Sequence, residues 1–229
     1  MKKILPHFSI FEIALYLCSI MIITISFFAF HNDQYLYLVG SLIGATSLIF
    51  LAKGHFFGQI FMIAFALFYG YVSYSYRYYG EMITYIGMTL PMAISSLISW
   101  IKHPFNHNEV KVNQPKRIQY LIVGVISIIV TLIFYFILNA LKTNNLIIST
   151  LSVLTSFLAA SLTFLRSRFY ALGYVLNDIV LIVLWIMATI ENFTYLPMVI
   201  CFVAFLVNDF YGFINWTRML KKQELMHNN

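Results

Sequence analysis

The sequence predicts an all-α polytopic membrane protein with eight transmembrane helices, and three observations lead there. Hydrophobic residues make up 61% of the 229 positions and charged residues only 10%, against about 25% charged in an ordinary soluble domain. Apolar stretches recur at the length a bilayer demands, about 20 residues per helix. The basic residues gather in alternate loops. A surface this poor in charge cannot be solvated by water, so the lipid bilayer is its solvent.

Taken in order, the first span is expected over residues 11–30. Lys2 and Lys3 precede it as they would in a signal peptide. The run is about twenty residues long, however, and "SFFAFHND" offers no small-x-small cleavage site, so the helix is retained. The second and third spans, 35–52 and 56–75, flank "KGHFFGQ" (Lys53–Gln59). The third runs into "YVSYSYRYYG", whose tyrosines suit the headgroup level, where the ring is apolar and the hydroxyl wet. The fourth, 82–101, holds Pro91. Proline lacks an N–H, kinks a helix and frees a carbonyl one turn back; here we read it as a packing feature. The fifth to eighth spans follow at 118–138, 147–165, 169–189 and 195–216.

Charge sets the topology. With eight spans, Lys2, Lys3, Lys53, Lys102, Lys111, Lys116, Arg117, Arg166, Arg168, Arg218, Lys221 and Lys222 fall on one side, and only Arg77 and Lys142 on the other. Such segregation places both termini in the cytoplasm of a cell-membrane protein. The net charge of +6 is then a matter of orientation. Its residues sit at scattered helix ends rather than on one face interleaved with aromatics, which excludes a nucleic-acid partner. No Walker loop, HExxH, GxSxG or GxGxxG occurs, so neither an enzyme nor a bound cofactor is expected. His103 and His107 in "HPFNH" are four apart but enclose a proline in a loop, and Cys18 and Cys201 are read as buried thiols without CxxC spacing. Neither a metal site nor a disulfide is expected.

The chain also resembles itself. Lys53 and Arg168 are each followed five positions later by glycine, Gly58 and Gly173, and "ISWIK" (Ile98–Lys102) matches "INWTR" (Ile214–Arg218). The spans then form an N-terminal helix (1–34), a three-helix repeat (35–102), a loop with a linker helix (103–145), a second, parallel three-helix repeat (146–217) and a cytoplasmic tail (218–229). Duplicated halves are common in transporters, with the substrate near the midplane between them. Trp100 and Trp216, each beside a basic residue, are expected to anchor at the interface.

Acidic residues inside a span cost about 2.5–3.5 kcal/mol on insertion scales and mark cavities or partners. Asn177 and Asp178 in the seventh span lie at a depth similar to that of Asp209 in the eighth. At 100° per residue, Tyr174, Asn177, Asp178 and Trp185 share a face, as do Asn208, Tyr211, Gly212 and Asn215, with Asp209 just beside them. In the first repeat Met92, Ala93 and Ser95 stand where Asn208, Asp209 and Tyr211 stand in the second, so Gln59 is its main polar contribution. Amides, carboxylates and large rings at one level suit a small, flat, polar ligand.

"NDIVLIVLWIMA" (Asn177–Ala188), "YLPMVICFVAFLVNDFYGFINW" (Tyr195–Trp216) and "GEMITYIGMTLPM" (Gly80–Met92) resemble the PnuC-type nicotinamide riboside transporters. The resemblance implies two three-helix bundles joined by a linker helix, a SWEET-like 3+1+3 plan, and homo-oligomers with the trimer as the expected form. It implies facilitated diffusion of nicotinamide riboside, trapped inside by phosphorylation and used for NAD biosynthesis. The family's Asn-x-x-Tyr pattern is matched by Asn208 and Tyr211, and its Asn and Trp on the preceding helix by Asn177 and Trp185. Where the family often shows Trp-x-x-Trp, this chain has Leu97 and Trp100.

On this reading Trp185 and Tyr211 box the ring, and Asn177, Asn208 and Gln59 bond its amide or ribose. Asp178 or Asp209 complements its positive charge. A carrier of thiamine, riboflavin or a deoxynucleoside, a proton-coupled carrier, and a membrane protein that binds without transport remain alternatives.

Overall fold

The computed structural model describes residues 6–30, 35–75, 79–106 and 109–227. Lys2, Lys3, Arg77 and His107, used above, lie outside them. Among the described residues, eight helical stretches are long and apolar enough to cross a membrane, one for each expected span. The chain is a multi-pass membrane protein. The helices are α1 (Ile10–Ala29), α2 (Tyr35–Ala52) and α3 (Phe57–Ser75), then a fourth span built from α4 (Tyr79–Thr84), a π-helical turn (Tyr85–Thr89) and α5 (Leu90–Lys102). They continue with α6 (Arg117–Ala140), α7 (Leu146–Phe164), α8 (Tyr170–Glu191) and α9 (Leu196–His227). In lipid each backbone polar group must be satisfied internally, which only a helix or a closed barrel achieves.

Two features depart from the expected spans. The π turn ends two residues before Pro91, whose missing N–H breaks the ladder, and the intervening Leu90 N–H reaches back to Tyr85 rather than to Ile86. The last helix does not stop at the expected 216 but continues to His227, so most of the expected tail is helical.

α2 and α3 pack together, and α3 packs on α4 and α5; α7, α8 and α9 form a second group. The groups meet reciprocally, α2 against α9 and α5 against α7. α1 lies on α9 and α2, while α6 leans on α7 and leaves Ile122, Ile129 and Phe136 exposed. The matched glycines explain themselves here. A Cβ on Gly58 would come within 2.7 Å of the Leu51 backbone nitrogen, and one on Gly173 within 2.9 Å of Ala159 Cα. At both places the second helix of a group crosses the first too closely for any side chain.

At the end of the bundle that carries Lys53, Lys102 and Arg166, the two groups cap each other. Trp216 Nε1 donates to the Leu51 carbonyl (2.8 Å) and Asn215 Nδ2 to that of Ala52 (2.8 Å), the last two carbonyls of α2. Trp100 Nε1 donates to the Thr163 carbonyl (3.0 Å) and Ser99 Oγ to that of Phe164 (2.9 Å), the last two of α7. Terminal carbonyls have no partner inside their own helix, and each group supplies them to the other. Trp100 and Trp216 are therefore not interface anchors. Both are fully buried, with rings 5.4 Å apart, because only there can an indole reach a carbonyl of the opposite group.

Each of these helix ends turns through a left-handed residue, Gly54 (φ 64°) after α2 and Arg166 (φ 56°) after α7. The segment after α5 runs across both turns. Val110 N donates to the Gly54 carbonyl (3.0 Å), and Asn113 N to that of Arg166 (2.9 Å). From the far end of α9, Gln223 holds the same segment. It accepts from Val112 N (2.9 Å) and donates to the Val110 carbonyl (3.0 Å). Cys201 is buried as expected, but Cys18 is exposed on the outside of α1.

Candidate functional site

Between the two helix groups lies a cavity of about 550 Å³, within the range of small-molecule sites. Its lining starts at the loop Lys142–Asn145, with Glu191 and Tyr195, at the end away from the reciprocal caps. It reaches down to Gln59, Thr163 and Asp209. No residue of the turns at the capped end contributes to it, so the cavity faces the opposite end.

α8 supplies one wall. Tyr174, the adjacent pair Asn177 and Asp178, Leu181, Trp185 and Ala188 recur every three or four residues, one helical stripe, and all line the cavity. The face expected for α8 is the one observed. Asp178 meets Asp209 of α9, the two carboxyl groups lying within hydrogen-bonding reach of one another. Both are buried. Among the described residues Asp178 Oδ2 has no hydrogen-bond partner, and across the cavity the same holds for Gln59 Nε2. A buried polar group left unpaired costs about 1–3 kcal/mol, so an acceptor beside Gln59 and a donor or cation beside Asp178 would be favourable. Asn177 accepts from Thr155 Oγ1 at 2.9 Å, so its amide N–H groups are what it can offer the cavity.

Trp185 stands nearly two turns below Glu191 at the cavity's outer rim, 5.6 Å from the Tyr195 ring and 6.5 Å from that of Tyr37. Tyr37 touches Tyr69 (6.1 Å), and Tyr69 touches Tyr85 (5.2 Å). Trp185, Tyr37, Tyr69 and Tyr85 form a belt along the cavity wall. Aromatic faces attract cations as well as flat rings, by about 0.5–2 kcal/mol each.

Five of the expected residues thus come together: Gln59, Asn177, Asp178, Trp185 and Asp209. Asn208 and Tyr211 do not line the cavity. Asn208 Nδ2 donates to Ser19 Oγ and to the Ala204 carbonyl (both 2.8 Å), and the Tyr211 hydroxyl donates to Glu12 Oε1 (2.6 Å). The reason is angular: Tyr211 lies about 200° around α9 from Asp209, and α1 covers that side. Glu12 also caps its own helix with Ser9 and pairs with Lys53 at 3.2 Å. The signal for this contact is present in α1, where Glu12, Ser19 and Ser26 recur every seventh residue and all are buried.

The helix group α2–α5 contributes more than Gln59. Glu81, Tyr85, Met88, Thr89 and Met92 of the fourth span line the cavity, as do Tyr37 and Tyr69. Glu81 escapes the sequence reading because it lies one residue before the expected span. The tyrosines escape it because tyrosine is ordinary near a membrane surface.

The comparisons with known proteins agree with a transporter. A nicotinamide riboside transporter PnuC from Neisseria mucosa is 29% identical over 201 residues, covering 85% of this chain and 76% of its own. A protein of the same name from Haemophilus influenzae is 24% identical over 193 residues, with coverages of 83% and 82%. The crystal structure of a vitamin B3 transporter PnuC matches with a TM-score of 0.80 at 28% identity, covering 95% of this chain and 94% of that one. All three are named as transporters rather than enzymes. A family model described as nicotinamide mononucleotide transporter matches residues 34–218, most of the chain, and to that family this protein belongs.

Proposed function

We propose that the chain carries nicotinamide riboside through the cell membrane by facilitated diffusion. The observation that carries this reading is the facing pair Asp178 and Asp209 beneath the ring belt Tyr37, Tyr69, Tyr85 and Trp185. Two carboxylates this close repel when both are charged, and a pyridinium cation between the rings relieves that repulsion. Trp185 and the tyrosines stack on the pyridine ring. Gln59 Nε2 and Asn177 Nδ2 donate to the carboxamide or to ribose oxygens, while Asp178 Oδ2 accepts from a ribose hydroxyl. Asn208 and Tyr211 serve the site indirectly, by fixing α9 to α1.

A phosphate group does not suit this cavity. Its described lining holds Glu81, Asp178, Asp209 and Glu191 but Lys142 as the one basic residue, so a nucleotide would meet like charge. The unphosphorylated riboside is the better ligand. Phosphorylation inside the cell then prevents its return and feeds NAD biosynthesis. In this reading the capped, basic end with both termini lies in the cytoplasm, and the cavity opens outward. The two helix groups are SWEET-like repeats joined by α6, and the assembly is a homotrimer.

Purified protein in liposomes tests the substrate. Labelled nicotinamide riboside should equilibrate without an imposed gradient and be displaced by excess unlabelled riboside, but not by thiamine or deoxynucleosides. Displacement by thiamine alone would keep the site and change its substrate. The facing aspartates also support a second reading, in which a proton is the co-transported cation. An inward proton gradient would then drive the riboside above equilibrium, whereas facilitated diffusion leaves the end point unchanged.

A further inference from the structure

We propose that Glu81 forms a second cation station in the outer half of the cavity, so that the path selects for positive charge before the inner aspartates are reached. This rests on the reading of the cavity as the route of a cationic riboside.

Glu81 lies in the first turn of α4 and lines the cavity half-buried. Its one hydrogen bond among the described residues is a long one, accepted from Ser73 Oγ at 3.4 Å, and the ion pairs found there do not include it. Its carboxylate is therefore not consumed by packing, as the buried carboxylate of Glu12 is. Next along the same helical stripe come Thr84 and Tyr85, so Glu81 stands one turn, roughly 6 Å, outward of the Tyr85 ring.

Tyr85 contacts Tyr69, Tyr69 contacts Tyr37, and Tyr37 contacts Trp185. Along α8, Asp178 is seven residues inward of Trp185, roughly 10 Å. The ring belt thus separates two acidic levels, Glu81 outside it, with the exposed Glu191 at the rim, and Asp178 with Asp209 inside. Both levels lie in one continuous cavity. A flat cation moving inward passes from carboxylate to ring faces to carboxylate, and is never far from a compensating group. A neutral ring system gains from the belt but not from Glu81. Glu81 is therefore a specificity-determining residue for charge, while the belt recognises shape.

The test compares nicotinamide riboside with its uncharged 1,4-dihydro form, using titration on purified protein and uptake into liposomes. In E81Q the dissociation constant of the cation should rise about tenfold, while that of the dihydro form stays within twofold. E81D, which keeps the charge on a shorter stem, should stay within threefold of the parent for both. If E81Q does not fold, E81M replaces it as the neutral variant, with the same expectation. Equal weakening of both ligands, an unchanged cation affinity, or a loss in E81D as large as in E81Q would each overturn the proposal. Failure of the parent protein to bind or take up the riboside would instead overturn the functional reading and this inference with it. Uptake that is intact and indifferent to Glu81 would overturn the inference alone.

Discussion

At Asp178 and Asp209 the informative substitution is asparagine, which keeps the shape and removes the charge. If the pair compensates a cation, Asp178→Asn and Asp209→Asn each weaken riboside binding at least tenfold, about 1.4 kcal/mol. Titration calorimetry on the purified variants reads this directly, and unchanged affinity in both would remove the charge from the mechanism. Tyr211 makes the opposite case. Its hydroxyl serves Glu12 on α1, and a hydrogen bond to a charged group is worth about 1.5–3 kcal/mol. Tyr211→Phe is expected to lower the unfolding temperature in detergent while leaving riboside affinity within twofold. A large loss of affinity without a loss of stability would place Tyr211 at the ligand instead.

The helices are held in register by contacts that no single element supplies. Trp216 and Trp100 each satisfy a carbonyl of the other helix group, and their rings touch. Replacing one by phenylalanine removes the indole's hydrogen bond and leaves the carbonyl only the turn N–H it also accepts from, Gly54 N on Leu51 and Arg166 N on Thr163, a cost of about 0.5–1.5 kcal/mol. Because the two rings share a contact, Trp100→Phe and Trp216→Phe should not add. A double-mutant cycle is expected to show a coupling of at least about 0.5 kcal/mol, and additivity would mean that the caps act independently. The α7–α8 crossing gives a steric test. Gly173→Ala puts a methyl group against Ala159 backbone, where nothing flexible can yield. Overpacking of this kind costs about 1–3 kcal/mol, and a comparison of melting temperatures with an unobstructed control such as Gly124→Ala, where a Cβ meets nothing within 4 Å, isolates it.

For the molecule as a whole, one end is closed by polar contacts and the other holds the cavity mouth. The reciprocal caps, the 109–113 segment and Gln223 all lie at the closed end, and so do Lys53, Lys102 and Arg166. A protease site placed after His227 should be cut from the cytoplasmic side of sealed vesicles and protected from the other. Cleavage only from outside would invert the topology and turn the cavity mouth inward.

The eight spans and the grouping of basic residues were legible in the sequence, because lipid leaves the backbone no choice but helix and charge no place but helix ends. The stripe on α8 was legible for the same reason: one helix fixes its own angular order. The two helix groups were signalled in the sequence only by matched glycines and tryptophans, and it took the structure to show what these residues do. The glycines admit a backbone, and the tryptophans cap the opposite group. Which side of α9 faces the cavity was decided by packing alone. Asn208, Asp209 and Tyr211 are near neighbours in sequence, but α1 covers two of them and leaves Asp209 to the cavity, a choice that depends on a helix almost two hundred residues away. Glu81 and the ring belt likewise gain their meaning only from the helices that stand opposite them, since a helix carries its own faces in its sequence but not the identity of what each face will meet.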